Sequence, residues 1–305
     1  MEQRMRIGYF ADGPWGQKTF EKLLDDSSLE VVFLTVRYDK RDSVLMQMAE
    51  KAGVPILLEQ NINTEAARAR YQKFHADLFV SMSFNQIFHH LMLEIPPLHT
   101  INCHAGKLPF YRGRNILNWV LINDETEFGI TVHYVDEGID TGDIIKQQTY
   151  PITDEDTYAT LLQRAYAECP CLLYMAIKEI QSGMVKRVPQ AMIDPIGMYC
   201  GMRGIGDEIL DWHQSSRDVF NFVRAICHPG PEARSFIHGK EIKINRVQLI
   251  KGVRPYKNIP GQVVGYSKNG FFVKTLDTVI EVVEYFYDGK IHIGDRLKSS
   301  QENVE

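Results

Sequence analysis

Short apolar runs alternate with amphipathic helical patterns over the first half of the chain. Strands are predicted at residues 5–10, 29–35, 54–58, 76–82 and 100–104. Helices are predicted at residues 17–24, 42–52 and 64–74. This alternation predicts an α/β fold, with a mostly parallel sheet and helices on both of its faces. Ligands of such sheets bind at the carboxyl ends of the strands, so the loops after Phe10, Met82 and His104 are the expected places for chemistry.

The periodicity continues up to about residue 190. A helix is predicted at 115–122, strands at 129–135 and 143–148, and a long helix at 156–182, in which Pro170 is expected to introduce a kink. Residues 190–206 carry several glycines and little periodicity, which favours a linker.

The last third of the chain has a different pattern. An amphipathic helix is predicted at 215–226, followed by short strands at 235–238, 241–247, 262–266, 270–275 and 279–286. Short strands separated by glycine turns are typical of a small barrel or sandwich. We therefore predict a first domain at 1–190, a linker at 191–206 and a small β-rich domain at 207–305. The aromatic run of Tyr285, Phe286 and Tyr287 is either the core of that domain or a homodimer surface.

Composition limits the choice of partners. The 305 residues carry a formal charge of −5 and a pI of about 6.1, which argues against a nucleic-acid partner. The five cysteines form no CxxC pair and no zinc spacing, so we expect reduced thiols and no metal. No signal peptide and no stretch of about 20 apolar residues is found, so the expected location is the cytoplasm, away from membranes.

Three residues combine into candidate acyl-transfer chemistry. Asn102 and His104 lie two apart at the end of a predicted strand, so their side chains share one side. Asp140 lies in the glycine-rich loop GIDTG. A histidine exchanges protons near neutral pH, an asparagine amide donates to an oxyanion, and an aspartate favours the imidazolium. The N-x-H pattern alone is weak, because a histidine at a strand end is more often a structural donor.

The longer motif around these residues resembles the signature of the N10-formyltetrahydrofolate-dependent formyltransferases. The chain reads NCHAGKLPFYRG at 102–113 and DEGIDTG at 136–142. The resemblance implies that His104 is the general acid and base, that Asn102 stabilises the oxyanion and that Asp140 favours the imidazolium of His104. It also implies a Rossmann-like catalytic domain and a C-terminal open-barrel, OB-like domain. One departure is Gly106, where many members have serine, and we expect it to affect local hydrogen bonding rather than chemistry.

The same resemblance implies a site for the co-substrate N10-formyltetrahydrofolate. Its expected contacts, largely through main-chain groups, are Gln86, Ile87, Phe88, Asp136, Glu137, Gly138 and Ile139, with Arg114 as a further contact. Ser81 and Phe84 are expected to flank this pocket. Core packing is an equally good interpretation of Phe84 and Phe88.

The acceptor amine is the open question. Methionyl-tRNA formyltransferases of this family insert a long basic loop after the second strand, whereas here only residues 36–41 separate strand from helix. With the acidic charge, this favours a nucleotide-linked amino sugar, dTDP- or UDP-bound, as in the domain that formylates UDP-4-amino-4-deoxy-L-arabinose. Trp15 and Asn118 are candidate substrate contacts. The alternatives are a methionyl-tRNA formyltransferase with a reduced loop, a non-catalytic folate-binding protein and a formyltetrahydrofolate hydrolase.

Overall fold

A computed structural model describes residues 4–300 of the chain, and the outermost residues of the two predicted domains, 1–3 and 301–305, lie outside that range. Two compact units are present. The first unit comprises Met1–Gly113, Phe128–Tyr150 and Gln163–Cys200, and the second comprises Arg114–Glu127, Pro151–Leu162 and Gly201–Glu305. The predicted domain boundaries near residues 190 and 207 stay a prediction.

The strands follow the apolar runs closely. In chain order they are β1 (Met5–Ala11), β2 (Leu29–Val36), β3 (Ile56–Leu57), β4 (Leu78–Met82), β5 (Thr100–His104), β6 (Arg112–Gly113), β7 (Glu127–Tyr134), β8 (Ile144–Pro151), β9 (Tyr199–Cys200), β10 (Ala233–Ile237), β11 (Lys240–Leu249), β12 (Val263–Tyr266), β13 (Phe271–Lys274) and β14 (Val279–Phe286). The ladder of β6 with β9 has no counterpart in the sequence prediction, and β9 lies within the predicted linker.

The helices are also close to expectation. They are α1 (Gly13–Asp25), α2 (Ser43–Ala52), α3 (Glu65–Gln72), α4 (His90–Leu93), α5 (Ile116–Ile122), α6 (Tyr158–Gln181) and α7 (Ser216–Ile226). Pro170 lies inside α6, and the expected kink stays a prediction. The four-residue helix α4 is too short to show a period and was not predicted.

The sheet of the first unit has the order β3-β2-β1-β4-β5-β7-β8. The pairs β3/β2, β2/β1, β1/β4 and β4/β5 are parallel, and β5/β7 is antiparallel. The predicted α/β class with a mostly parallel, Rossmann-like sheet is confirmed. Chain order reverses at β1, which lies between β2 and β4, so the carboxyl ends of β1, β4 and β5 border the crevice where such sheets bind ligands.

Helix caps explain the bounds of α2. The Asp42 carboxylate accepts hydrogen bonds from the N–H groups of Val44 and Leu45, each 3.0 Å long, and Gly53 ends the helix with φ 68°. The same carboxylate accepts a bond of 3.0 Å from the N–H of Gly13, the first residue of α1. One side chain therefore holds the starts of two helices near the carboxyl ends of β1 and β2.

An aromatic cluster forms the core on one side of the β1–β4 region. Phe10 is fully buried, with ring centroids 5.4 Å from Phe33, 5.2 Å from Phe79 and 4.9 Å from Phe88. Edge-on packing of this kind stabilises beyond the burial of apolar area. The cluster fixes β1 and the loop after β4, from which candidate ligand contacts extend.

The second unit contains an antiparallel sheet of order β10-β11-β14-β13-β12, as the β-rich prediction requires. Residues near the end of the chain bond to both edges: Lys298 exchanges hydrogen bonds with Phe236 of β10, and Gly294 donates to Val263 of β12. The core uses apolar positions of β11–β14. Phe286 is 73% exposed, so the expectation that the aromatic run lies in this core is wrong for that residue.

Candidate active site

Strand β5 places two of the candidate catalytic residues. Its register sets Asn102 beside Ser81 of β4 on one side and His133 of β7 on the other. His104 ends the strand opposite Thr131 of β7. The alternation of side chains along β5 puts Asn102 and His104 on the same face of the sheet.

The His104 ring has an acceptor at each nitrogen. Its Nδ1 lies 3.5 Å from Oδ2 of Asp140, and its Nε2 lies 2.7 Å from the main-chain oxygen of Tyr111. The residue is only 9% exposed. The short contact at Nε2 and the burial together hold the ring in one orientation.

Asp140 is held by main-chain and charged groups. The N–H of Gly113 donates to Oδ2 over 2.9 Å, and the residue adopts φ 54°, a left-handed conformation that aspartate tolerates better than most residues. Burial raises the pKa of this carboxyl, but the charge of His104 and the contacts with His133 and Gly113 outweigh burial. The pKa of Asp140 therefore lies well below its usual range, and the group is an ionised acceptor at neutral pH.

His133 joins the two ends of this cluster. Its Nε2 lies 3.3 Å from Nδ2 of Asn102 and 3.4 Å from Oδ1 of Asp140, while its Nδ1 donates to the Tyr134 oxygen over 2.7 Å. The sequence analysis gave His133 no role in the candidate site. The feature that could have identified His133 is its position on β7, because the pairing of β7 with β5 brings His133 next to Asn102.

A buried amide anchors the loop that carries Asp140. Nε2 of Gln190 donates to the main-chain oxygens of Asp140 and Gly142, each over 2.8 Å. Oε1 of Gln190 accepts two bonds from the Arg112 guanidinium, of 3.0 and 2.8 Å. Both residues are less than 9% exposed. Arg112 and Gln190 thus connect the segment after His104 with the loop that carries Asp140. The sequence analysis identified neither residue.

The predicted folate contacts after β4 have mixed surroundings. Gln86 uses its side chain internally: Oε1 accepts from the Ile62 N–H and Nε2 donates to the Glu59 oxygen, both over 2.9 Å. Phe88 is 4% exposed and belongs to the aromatic core, whereas Ile87 is 54% exposed. Phe88 therefore packs in the core. The predicted contacts of residues 86–88 with folate stay a prediction.

The second predicted folate segment precedes Asp140. Asp136, Glu137, Gly138 and Ile139 are all exposed, and the Gly138 N–H donates to the Asp136 carboxylate over 3.1 Å. Arg114 is exposed and belongs to the second unit. These contacts with folate remain predictions.

The two candidate substrate residues lie in different units. Trp15, near the start of α1, is half-buried and packs edge-on against Tyr166 at 5.0 Å. Asn118 is buried in the second unit, where its Nδ2 donates to the Ala225 oxygen over 2.6 Å. The structure thus gives Asn118 a structural contact, and its contact with substrate remains a prediction.

Residues 4–300 contain neither a candidate metal site nor a candidate membrane-spanning helix. No group of three or more histidine, cysteine, aspartate or glutamate side chains within this part of the chain is arranged to hold a metal ion. Within the same residues, no helix combines the length and apolarity that a membrane crossing needs.

Two models of known protein families match this chain. Residues 5–177 match the family model described as "Formyl transferase", and residues 206–295 match "Formyl transferase, C-terminal domain". The chain belongs to the formyl transferase family, and it is an enzyme that transfers a formyl group. The family predicted from the motif at 102–113 is therefore confirmed.

Individual relatives fall into two groups. Methionyl-tRNA formyltransferase of Halalkalibacterium halodurans is 34% identical over 243 residues, 79% of this chain and 75% of the relative. The enzyme of the same name from Halothermothrix orenii is 31% identical over 298 residues, 94% and 93% of the two chains. An N-formyltransferase structure from Helicobacter canadensis, in complex with folinic acid and dTDP-3-aminofucose, covers 93% of this chain and 100% of its own, with a TM-score of 0.69 and 18% identity. That last likeness concerns the fold alone.

Proposed function

We propose that this enzyme transfers the formyl group of N10-formyltetrahydrofolate to the amine of a nucleotide-linked amino sugar, a dTDP or UDP derivative. The observation that carries the chemistry is the cluster of Asn102, His104 and Asp140 at the carboxyl end of β5, joined by His133. Its distances of 3.3–3.5 Å link an amide, two imidazoles and an ionised carboxylate in one buried group.

These residues supply what direct formyl transfer needs. The amine nitrogen bonds to the formyl carbon, and the bond from that carbon to N10 of the folate breaks. The attacking amine loses one proton and N10 of the folate gains one. His104 accepts the proton from the amine and donates a proton to N10. Nδ2 of Asn102 lies 3.3 Å from Nε2 of His133, and we assign a hydrogen of this amide to the oxyanion. Ionised Asp140 stabilises the imidazolium.

Exposed apolar groups near the catalytic loops suit the folate. Ile87, after β4, is 54% exposed, and Ile139, next to Asp140, is 52% exposed. Pockets for ligands of this size are lined mainly by apolar side chains with a few polar groups that set orientation. These two side chains support the placement of the aromatic part of the donor between the loops after β4 and β7.

The acceptor is argued from the segment between β2 and α2. Residues 37–42 contain three cations, but Arg37 is paired with Asp39 at 2.7 Å and with Asp12 at 3.5 Å. Asp42 in the same segment caps α2. Binding to a tRNA backbone gains its affinity from unpaired cations that displace counterions. A short segment with its charges largely balanced supports a small acceptor rather than tRNA.

A second candidate is methionyl-tRNA formyltransferase. The relatives that carry that name are 34% and 31% identical to this chain, over most of both sequences. Under this candidate, cations outside residues 37–42 would hold the tRNA.

One assay separates the two candidates. The purified protein is incubated with N10-formyltetrahydrofolate and, in parallel, with dTDP- and UDP-amino sugars or with methionyl-tRNA. Tetrahydrofolate release and the mass of each product are measured. Formylation of an amino sugar with no methionyl-tRNA product is the expected result. Formylation of methionyl-tRNA alone would reject the sugar acceptor, and folate binding without turnover on any amine would reject the enzyme mechanism.

A further inference from the structure

The ring of His104 has a short contact with the main chain of Tyr111 in addition to its contact with Asp140. Nε2 of His104 lies 2.7 Å from the Tyr111 carbonyl oxygen, in a buried environment. A carbonyl oxygen has no hydrogen to give, so at this distance the proton must be on Nε2.

The other ring nitrogen has a looser partner. Nδ1 lies 3.5 Å from Oδ2 of Asp140, beyond the length of about 2.7–3.2 Å of an N–H···O hydrogen bond. That oxygen already accepts a hydrogen bond of 2.9 Å from the Gly113 N–H, and Oδ1 of the same carboxylate lies 3.4 Å from His133. The tight contact of the ring is therefore on Nε2 and the loose one on Nδ1.

Residue 106 makes the tight contact possible. A Cβ atom built on Gly106 would lie 2.5 Å from Nε2 of His104 and 2.6 Å from the Tyr111 oxygen. Both distances are well inside van der Waals contact, and the second involves a main-chain atom. Any other residue at position 106 must push the carbonyl and the ring apart. Gly106 is also where this chain departs from the serine that many members of the resembled family have.

The surrounding main chain leaves little freedom to relax. The Gly106 oxygen accepts a bond of 2.6 Å from Oγ1 of Thr131, and that hydroxyl also accepts from Nε2 of Gln147 over 2.8 Å. Nε2 of Gln147 further donates to the Leu108 oxygen over 2.9 Å. Two strands, β7 and β8, thus fix the loop on both sides of residue 106.

Tyr111 itself is in an unusual conformation. Its φ is 60°, in the left-handed region that residues with a Cβ seldom occupy. Such conformations persist where the surrounding structure determines them and are concentrated at functional sites. Here the conformation comes with a carbonyl oxygen directed at the candidate catalytic histidine.

We propose that the main-chain carbonyl of Tyr111, admitted by Gly106, is a positioning group that holds the proton on Nε2 of His104 and so assigns proton exchange with substrate to Nδ1. This inference rests on the proposed role of His104 as general acid and base. The proton taken from the attacking amine arrives at Nδ1 and leaves from Nδ1 to the departing nitrogen. Asp140 then stabilises that transient proton, while the Nε2 proton stays in place throughout.

The first test uses the wild-type protein without substrates. Long-range proton–nitrogen NMR spectra of protein labelled with ¹⁵N-histidine are recorded across a pH series, and the His104 signals are assigned by their absence in His104→Gln. Nε2 is expected to keep the shift of a protonated nitrogen at every pH, while Nδ1 changes. An unprotonated Nε2 in the neutral ring would overturn the proposal.

The second test restores the residue common in the family. Gly106→Ser should displace the carbonyl, remove the protonated-type shift of Nε2 in the neutral ring and lower kcat by roughly tenfold or more. The loss is part of the roughly 10²–10⁴-fold that an acid–base group contributes, because His104 itself is retained. KM for the formyl donor should change much less. Gly201→Ser is the matched control, because a Cβ there meets no atom within 4 Å. Unchanged kcat and unchanged Nε2 signals in Gly106→Ser would also overturn the proposal.

The two tests separate this inference from the proposed function. The spectra need neither folate nor acceptor, so a fixed Nε2 proton in a protein that formylates no amine would refute only the function. Formylation by a wild-type enzyme whose Nε2 loses its proton would refute only the inference. If Gly106→Ser does not fold, the wild-type spectra still decide the matter.

Discussion

Asp140→Asn isolates the charge at the centre of the cluster. Asparagine keeps the size of the side chain and an oxygen for the Gly113 N–H, and it tolerates the φ of 54° at this position. Alanine would remove the hydrogen-bond acceptor and most of the side-chain volume together with the charge. The substitution therefore changes chiefly the attraction between residue 140 and the His104 ring.

The distance sets the size of the effect. Two unit charges 3.5 Å apart, as between His104 and Asp140, attract by about 5 kcal/mol at an effective dielectric constant of about 20. If about half of this attraction is gained on going to the transition state, the barrier rises by about 2.5 kcal/mol. Because about 1.4 kcal/mol is tenfold in rate, kcat should fall roughly 10²-fold.

The assay is steady-state release of tetrahydrofolate, with thermal unfolding measured on the same samples. Asp143→Asn, the same change at the end of the loop, is the matched control and should keep the wild-type rate. A variant at position 140 that is folded and keeps kcat within about threefold of wild type would refute the electrostatic role, since general acid–base groups contribute roughly 10²–10⁴-fold.

Three further outcomes are expected. Because the native pKa of Asp140 lies below its usual value, the ionised carboxylate contributes fully to stability above about pH 4, and this contribution is lost as the pH falls further. The difference in unfolding free energy between wild type and Asp140→Asn should therefore shrink below pH ~4. A difference that stays constant with pH would contradict this expectation. Gly142→Ala should cost about 1–3 kcal/mol or more in urea unfolding, since its Cβ would lie 1.9 Å from the Tyr134 oxygen; a stability equal to that of Gly201→Ala would be inconsistent with it. Phe88→Ala should cost about 3–5 kcal/mol with little change in KM for the formyl donor, whereas normal stability with a raised KM would indicate a folate contact instead.

Much of the first unit was predictable because most of its longer strands, β1, β2, β4, β5 and β7, are buried on both faces. A strand such as β1, with the sequence MRIGYFA and almost every position buried, reads as a continuous apolar run. The sequence ENVE at the end of the chain offers no such signal and lies outside the described residues. Elements of two to four residues, such as β6, β9 and α4, are too short for any period, and they form because longer neighbours hold them.

The candidate site also has features that follow from the local sequence and features that depend on contacts between distant parts of the chain. The spacing of Asn102 and His104 on β5 is a local property, so alternation alone placed the two side chains on one face. Asp140 was a candidate because of its glycine-rich loop and its chemistry. Its contact with His104 was implied only by the motif, because no local rule connects residues so far apart in the chain. His133 was overlooked for the same reason, since its contact with Asn102 depends on the pairing of β5 with β7.

By itself, the sequence determined the class of fold, the family and the three side chains of the proposed chemistry. It did so because burial and alternation act over a few residues, and because the motif is long and ordered. Only the tertiary structure decided how each group is held. His133 and Gln190 reach the cluster through strand and loop packing, and the partner of Nε2 in His104 is a main-chain oxygen of Tyr111. Every residue has such an oxygen, so no pattern of side chains could have shown which one would lie against the ring.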